Sequence, residues 1–442
     1  MRESRRTNFL ILAALLMIAA AFTVYATLVM RWFAAPKTIP AGTARSARTS
    51  TETALTAARG EFREHLLAPR AHLRLSEALW KAGRPVDAFY VMYAARQIFT
   101  AEDFQAAHAD VVLRSTPEDR NALDQLSRAA MAPDGDAART AHTKLEELYR
   151  ADPKNPEKLA ALAGADFGRG DTEQASALAT EAWNKHPGHA GAARIMGMLA
   201  LKDHDQDAAL KWLTAAWDRN PDDLYSAAKL AQLYDKRRAD PEGALPFYLA
   251  LYRQNPDYAD DERAETRIRT TLDARRESLL KGATVEGLGG RFKLDDASLR
   301  AETCLRAADY ADPRWIDALG ELLDDDVEMV RRSADYALFQ IARKEPDAVR
   351  ARRELWLGSV KPLTRVRALN LYADLDGNNA LPAVVAALSH PNPGVRAFAK
   401  IMVLDHYYKG VPEAAAARTR YLAAEKDPEA LALVKRFAGA SR

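Results

Sequence analysis

The groups that could do chemistry are few: one thiol, nine histidines and a scatter of carboxylates in 442 residues. Cys304 lies in an apolar helical stretch, Leu299 to Ala308, with no histidine partner evident in the sequence. A reactive thiolate needs a base or a positive field to lower its pKa, so Cys304 reads as a buried structural cysteine. His186 and His189 flank Pro187 without a nearby cysteine or a third ligand, which is too little for a zinc site. Asp203-His204-Asp205-Gln206-Asp207 alternates acids as a calcium loop does. Such a loop needs Gly and Glu at its sixth and twelfth positions, and here they are Ala208 and Thr214. Gly287-Leu288-Gly289-Gly290 has neither the spacing nor the following helix of a dinucleotide loop. No nucleophile elbow, phosphate loop or paired-carboxylate motif is apparent. The sequence reads as a non-enzyme, with no catalytic residue, no metal and no cofactor.

The elements that position these residues repeat. Pro117, Pro153, Pro187, Pro221 and Pro256 are spaced by 36, 34, 34 and 35 residues. Tyr149, Trp183, Trp217 and Tyr252 each precede one of the last four prolines by four. A period near 34 built from helical segments marks a stacked two-helix unit. Such stacks rarely carry catalysis; they present long concave surfaces that hold other molecules. Hydrophobic residues make up 48% and charged residues 28%, as in ordinary folded proteins. Abundant alanine favours helix, and no β-branched alternation is long enough for a sheet. The expected fold class is all-α. A net charge of +2 gives no reason to expect nucleic acid as a partner. One cysteine excludes an intramolecular disulfide framework.

Residues 1–8 are a basic tail with Arg2, Arg5 and Arg6. Residues 9–30 carry no charge, and a helix of that length would span about 33 Å, enough for a bilayer core. Val24-Tyr25-Ala26 has the small residue of a signal cleavage site, but the apolar run continues to Met30. The segment therefore reads as a single transmembrane anchor and not as a cleaved signal. The basic tail favours a cytoplasmic N-terminus and an exported body. Arg31, Lys37, Arg45 and Arg48 on the other side weaken that bias, and a cytoplasmic body stays open. Residues 31–57, which include KTIPAGTARSARTSTE, read as a flexible linker.

From 58 to 258 the units share a pattern. The third unit has Leu162 and Ala163 in its first helix, Gly170 at the turn, Ala175 and Ala182 in its second helix and Pro187 at the end. The fourth has Met196, Gly197, Ala209, Ala216 and Pro221; the fifth has Leu230, Ala231, Ala244, Leu251 and Pro256. An earlier unit shows Leu75, Gly83, Ala88 and Ala95. This pattern resembles the tetratricopeptide repeat (TPR). The resemblance implies a right-handed superhelix whose first helices line a concave groove. Carried over position by position, that groove presents Phe167, Arg194, Met198, Leu201, Tyr225 and Gln232 as candidate partner-binding residues. Phe167, Met198, Leu201 and Tyr225 would offer apolar contact, Arg194 would fix an acidic group and Gln232 would bond a peptide backbone. The Lys and Asn pairs with which some TPRs clamp chaperone C-termini do not stand at these positions.

Residues 259–293 read as a connecting charged helix and a glycine-rich linker. A new theme then begins with Leu299-Arg300, Val330-Arg331, Val366-Arg367 and Val395-Arg396, spaced by 31, 36 and 29. Alanine-rich helices follow, as in VRRSADYALFQIA and VRAFAKIMVL. From 294 to 442 the chain resembles HEAT repeats with capping helices. The resemblance implies an arginine ladder, with Arg331 and Arg396 paired to carboxylates in adjacent turns such as Asp325 or Asp326. Arg343 to Arg367 holds eight Lys or Arg and three Asp or Glu. That run could meet lipid headgroups or an acidic partner, or form a solvated helix face.

The expectation is a membrane-anchored α-solenoid, TPR-like then HEAT-like, with one N-terminal transmembrane helix. Its expected role is a scaffold or assembly factor for protein partners in a bacterial envelope, anchored in the inner membrane with a periplasmic body. The alternatives are an envelope chaperone for unfolded peptides and, remotely, a protein like HEAT-containing chromophore lyases.

Overall fold

The computed structural model describes residues 41–115, 122–131, 135–281 and 284–438. The basic tail and the anchor expected at 9–30 lie outside the described residues. No described helix is long and apolar enough to cross a membrane. Met1–Thr53 separates from a compact body, Ala54–Arg442. Among the described residues there is no strand, only an isolated bridge between Ala259 and Arg263. The chain is a helical repeat-like protein, compatible with an α-solenoid.

The first helix, α1 (Ala41–Glu64), corrects one expectation. The small polar residues of 41–57, expected as part of a linker, are helical. Leu55, Ala58 and Phe62 share one face and are buried, so packing of the last turns overrides the weak propensity of the Ser and Thr residues before them. Helices α2 (Pro69–Lys81), α3 (Pro85–Ile98) and α4 (Ala101–Val111) complete an N-terminal bundle.

Four hairpins follow: α5 (Ala122–Ala130) with α6 (Asp136–Ala151), α7 (Pro156–Arg169) with α8 (Thr172–Lys185), α9 (Ala190–Lys202) with α10 (Gln206–Arg219), and α11 (Leu224–Gln232) with α12 (Pro241–Gln254). They pack in sequence order. The sequence period survives as caps. Asn155, His189 and Asp223 cap the first helices of three hairpins, each accepting a backbone N–H. Asp171, Asp205 and Asp240 cap the second helices in the same way. Side-chain acceptors at this position satisfy donors that the helix itself leaves open. The calcium-like Asp203–Asp207 run is thus a turn whose Asp205 accepts from the Ala208 N–H. Ala163, Ala179, Ala182, Ala209, Ala216 and Ala244 are fully buried; small side chains there let helices approach closely. Gly170 ends α7 at φ 87°, a left-handed position that costs glycine nothing.

The second half comprises α13 (Ala264–Leu280), α14 (Ala297–Tyr310), α15 (Ile316–Leu322), α16 (Glu328–Lys344), α17 (Pro346–Leu357), α18 (Pro362–Asp376), α19 (Leu381–Ala387), α20 (Pro393–Phe398), a short α21 (Asp405–Tyr407), α22 (Pro412–Ala424) and α23 (Pro428–Ala438). A π-turn, Ala399–Leu404, joins α20 to α21.

Sequence order and spatial order part company at the N-terminal bundle. Helix α3 lies against α12, the last helix of the hairpin stack, and also against α14 and α16. Two buried charge clusters mark these seams. On one side Arg253 donates to both oxygens of Glu77, at 2.9 and 2.8 Å, and to Asp222 at 2.7 Å. On the other, Arg300 donates to both oxygens of Asp325, at 2.9 and 2.9 Å, and to Asp87 at 3.1 Å. Asp87 also accepts from Arg84 and from the Ala297 N–H. Further out, α1 reaches the second half through Arg59–Asp326 and Arg63–Asp324. Asn392 donates to the Arg63 carbonyl at the end of α1. Leu67 joins Ala397, Leu433 and Val434 in one apolar cluster. The bundle is therefore shared by both halves: one hydrophobic core joins residues 55–104 to residues 200–371, while residues 130–198 form a core of their own.

Candidate partner-binding face

The first helices of the hairpins, α7, α9 and α11, carry the six residues singled out in the sequence. Phe167 is partly buried and packs on the core of the second and third hairpins. Met198 is only 8% exposed and belongs to that core. Leu201 packs on the larger core from its edge. Arg194 is mostly buried, with Nη1 3.7 Å from Asp223 Oδ1. Tyr225 is 36% exposed, and the Lys229 ammonium lies 5.9 Å from its ring centre. Gln232 donates to Asp260 at 3.1 Å.

Two expectations change. Met198 is core and offers a partner little surface. Arg194 does not present a free charge, because Asp223 already opposes it. The sequence signal for this was the cap itself. Asp223 caps α11 through the Tyr225 N–H and also accepts from Ser226 Oγ, so the residue that starts one hairpin faces a cation on the first helix of the hairpin before. His189 repeats the device one unit earlier, with Nε2 3.1 Å from Glu157 Oε2. The imidazole beside it holds the Glu157 carboxyl below its ordinary range. At the far end Lys236 binds Asp260 and Asp261, at 2.5 and 2.7 Å, and its hydrogen bond depresses the Asp260 carboxyl. The face is a ladder of matched charges with the Tyr225 ring as its exposed apolar element. It suits a partner that brings apolar side chains and backbone amides more than one that brings net charge.

No protein-family model matches this chain, and no curated protein matches it either. The helical repeat architecture accordingly rests on the coordinates and on the sequence period.

Other polar sites fall into place as structure. Cys304 is fully buried, and burial pushes its thiol far above the ordinary range. An open pocket of about 310 Å³ at the bundle seam is lined by Arg59, Arg63, Arg84 and Arg300 among others. Its acids Asp324, Asp325 and Asp326 bond Arg63, Arg300 and Arg59. The ladder arginines pair with carboxylates across turns: Arg300 takes Asp325, as the resemblance implies, while Arg331 and Arg396 take acids other than Asp325 and Asp326. Arg331 binds Glu328 and the Asp325 carbonyl, and Arg396 binds both oxygens of Glu425, at 2.7 and 2.6 Å. Among the described residues no cluster of His, Cys, Asp and Glu could hold a metal ion.

One buried acid is under-served. Asp335 on α16 accepts from Asn370 at 2.9 Å, while its Oδ1 has no hydrogen-bond partner. Arg367 Nη1 stands 3.6 Å away, and Glu328 holds the same guanidinium more tightly. Asn370 also reaches Asp374 at 3.4 Å and accepts from Tyr407 at 3.3 Å. Burial pushes the Asp335 carboxyl up to about 7; Arg367 pulls the other way and Asp374 adds to the rise. The folded state then holds a proton that the unfolded chain releases between about pH 4 and 7. Stability from this group is present at low pH and is lost as pH rises through that window. Asp335→Asn is expected to stabilise the protein at pH 8 by about 2–4 kcal/mol and to flatten the slope below it. Denaturant midpoints of both proteins across pH 5–8 check this; parallel curves would refute it.

Proposed function

We propose that this chain is a membrane-anchored scaffold or assembly factor that holds a segment of a protein partner along the α7–α9–α11 face. In this reading the hairpins from α5 to α12 are TPR-like and the helices from α14 onward are HEAT-like. The anchor at residues 9–30 confines the body to the plane of its partner's membrane, which raises effective concentration. The observation that carries the reading is the repeated cap-to-helix pairing, which builds a regular, charge-matched face and leaves Tyr225 open on it. Tyrosine is a common anchor at interfaces because it adds apolar area with little rotamer cost.

The first test is affinity purification of the full-length protein in mild detergent, with co-purifying proteins identified by mass spectrometry. A stoichiometric partner supports a scaffold; several unfolded clients held weakly would favour a chaperone. With the partner in hand, Tyr225→Ala is expected to weaken binding by about 5- to 30-fold, a loss of about 1–2 kcal/mol. The fold should survive with a modestly lower melting temperature, because the ring is partly exposed, and affinity is compared at a temperature where both proteins are folded. Unchanged affinity would remove this face from the proposal. Arg194→Glu is a poorer probe than the sequence alone suggests, since it would set two carboxylates against each other at Asp223.

A further inference from the structure

Each seam of the N-terminal bundle carries a buried histidine, His72 on α2 and His108 on α4. Each meets a main-chain carbonyl through Nε2: His72 at Leu66, 2.9 Å away, and His108 at Arg253, 2.8 Å away. A carbonyl only accepts, so both Nε2 atoms bear the hydrogen. These two carbonyls lie where the bundle joins the rest of the body. Leu66 belongs to the turn between α1 and α2. A Cβ at Gly394 of α20 would stand 2.8 Å from Leu66 Cβ, so glycine lets the turn sit directly on the second half. Leu67 beside it packs with Ala397 and α23. His72 therefore fixes the turn that docks there. Arg253 is the seam residue of α12, and His108 ties α4 to it across 145 residues of sequence.

The surroundings favour uncharged rings. Phe62 and Phe99 stand edge-on to His72, with ring centres at 4.8 and 5.0 Å. Burial pushes the His72 imidazole down to about 4 against the pull of the Leu66 carbonyl. On α16, Arg331 adds to the fall and Glu328 opposes it. Phe104 stacks on His108 at 5.8 Å. Burial lowers that imidazole too, against the pull of the Arg253 carbonyl. The Arg253 and Arg96 guanidiniums, on α12 and α3, add to the fall; Glu77 on α2 opposes it.

We propose that His72 and His108 make the bundle an acid-released clasp, because each ring accepts a proton readily only when its helix has left the seam. A histidine of this kind stabilises docking above its free pKa, and that stability is lost as pH falls towards the docked value. For His72 the window runs from 6.5 down to about 4. Between pH 7 and pH 5 the released form should gain about 20-fold from His72 alone, with a further gain from His108. The raised carboxyls of Asp87 and Asp335 act in the opposite sense. Release bares α12, the end of the hairpin stack that α3 otherwise covers. The clasp is independent of what the α7–α9–α11 face holds.

The experiment is hydrogen exchange of the full-length protein at pH 7 and pH 5, corrected for intrinsic rates and read peptide by peptide. The comparison is the double variant His72→Gln with His108→Gln, which keeps a donor for each carbonyl and takes up no proton. Asp87 and Asp335 cancel in that comparison. From pH 7 to pH 5, protection of α2–α4 should fall at least about 20-fold further in the native protein than in the variant. Protection of α7–α10 should change alike in both. Equal pH dependence of α2–α4 in the two proteins would overturn the clasp. An equal extra loss in α7–α10 would mean unfolding of the whole body and would overturn it too. Histidine-selective NMR of the native protein gives a reading that needs no variant. At least two of the nine imidazoles should still be neutral at pH 5; fewer than two would overturn the proposal.

Discussion

Arg300→Ala is expected to cost about 3–5 kcal/mol of stability, the range seen when one partner of a buried ion pair is removed. The change would strand two carboxylates at once. Asp87 has no solvent exposure and Asp325 almost none. Burial already drives the Asp87 carboxyl above its ordinary range, although Arg300 and Arg84 pull it down. Burial alone would lower the Arg300 pKa as well; Asp325 and Asp87 more than reverse that and hold the guanidinium charged. Without it, Asp87 would keep Arg84 as its remaining cation. The variant should show a lower denaturant midpoint and, as pH falls and Asp87 takes up a proton, a partial recovery. The double variant Arg300→Met with Asp87→Leu should recover only part of the loss, because it removes one of the two stranded carboxylates and leaves Asp325 without its cation. A loss below about 1 kcal/mol for Arg300→Ala would mean that water reaches the seam and that the cluster is a surface feature.

The larger effect is expected from removing the N-terminal bundle. A chain that starts at residue 113 lacks the helices that cover Arg253, Arg300 and the apolar faces around them. It also loses the Leu67 contact with α23. The deficit should exceed about 5 kcal/mol, comparable with the whole stability of a domain. Loss of near-ultraviolet circular dichroism, dye binding to exposed apolar surface and aggregation would be the observed signs. A monomeric truncated chain with one cooperative unfolding step would show that the two halves stand by themselves.

These two expectations come from contacts that sequence reasoning did not see. The 34-residue period was legible because prolines, caps and seam alanines are local signals that recur in register. The Val-Arg theme of the second half was legible for the same reason. The partners of Glu77 and Asp87 lie 176 and 213 residues away, and nothing near those acids announces them. An acid in an otherwise apolar helical stretch, such as Asp87 among Val86, Ala88 and Phe89, was the available clue. At the candidate face, Tyr225 and Gln232 are placed where a partner could reach them. Met198 and Arg194 are not, since the helix position alone does not say whether a neighbouring cap closes over it. The linker reading of 41–57 failed because composition reports propensity and not the packing that overrides it.

The shared bundle has a consequence for the order in which the molecule assembles. Its helices leave the ribosome first, yet the residues that neutralise Glu77 and Asp87 are made much later. Until residue 253 and then residue 300 are available, Glu77 and Asp87 have only the local cations Lys81 and Arg84, and the apolar faces of the bundle are bare. Contacts of such separation slow folding and prolong the life of sticky intermediates. The hairpins from α5 to α12, built from neighbours in sequence, can form as they emerge. The first helices of the chain are therefore the last to settle, and the molecule closes on its own beginning.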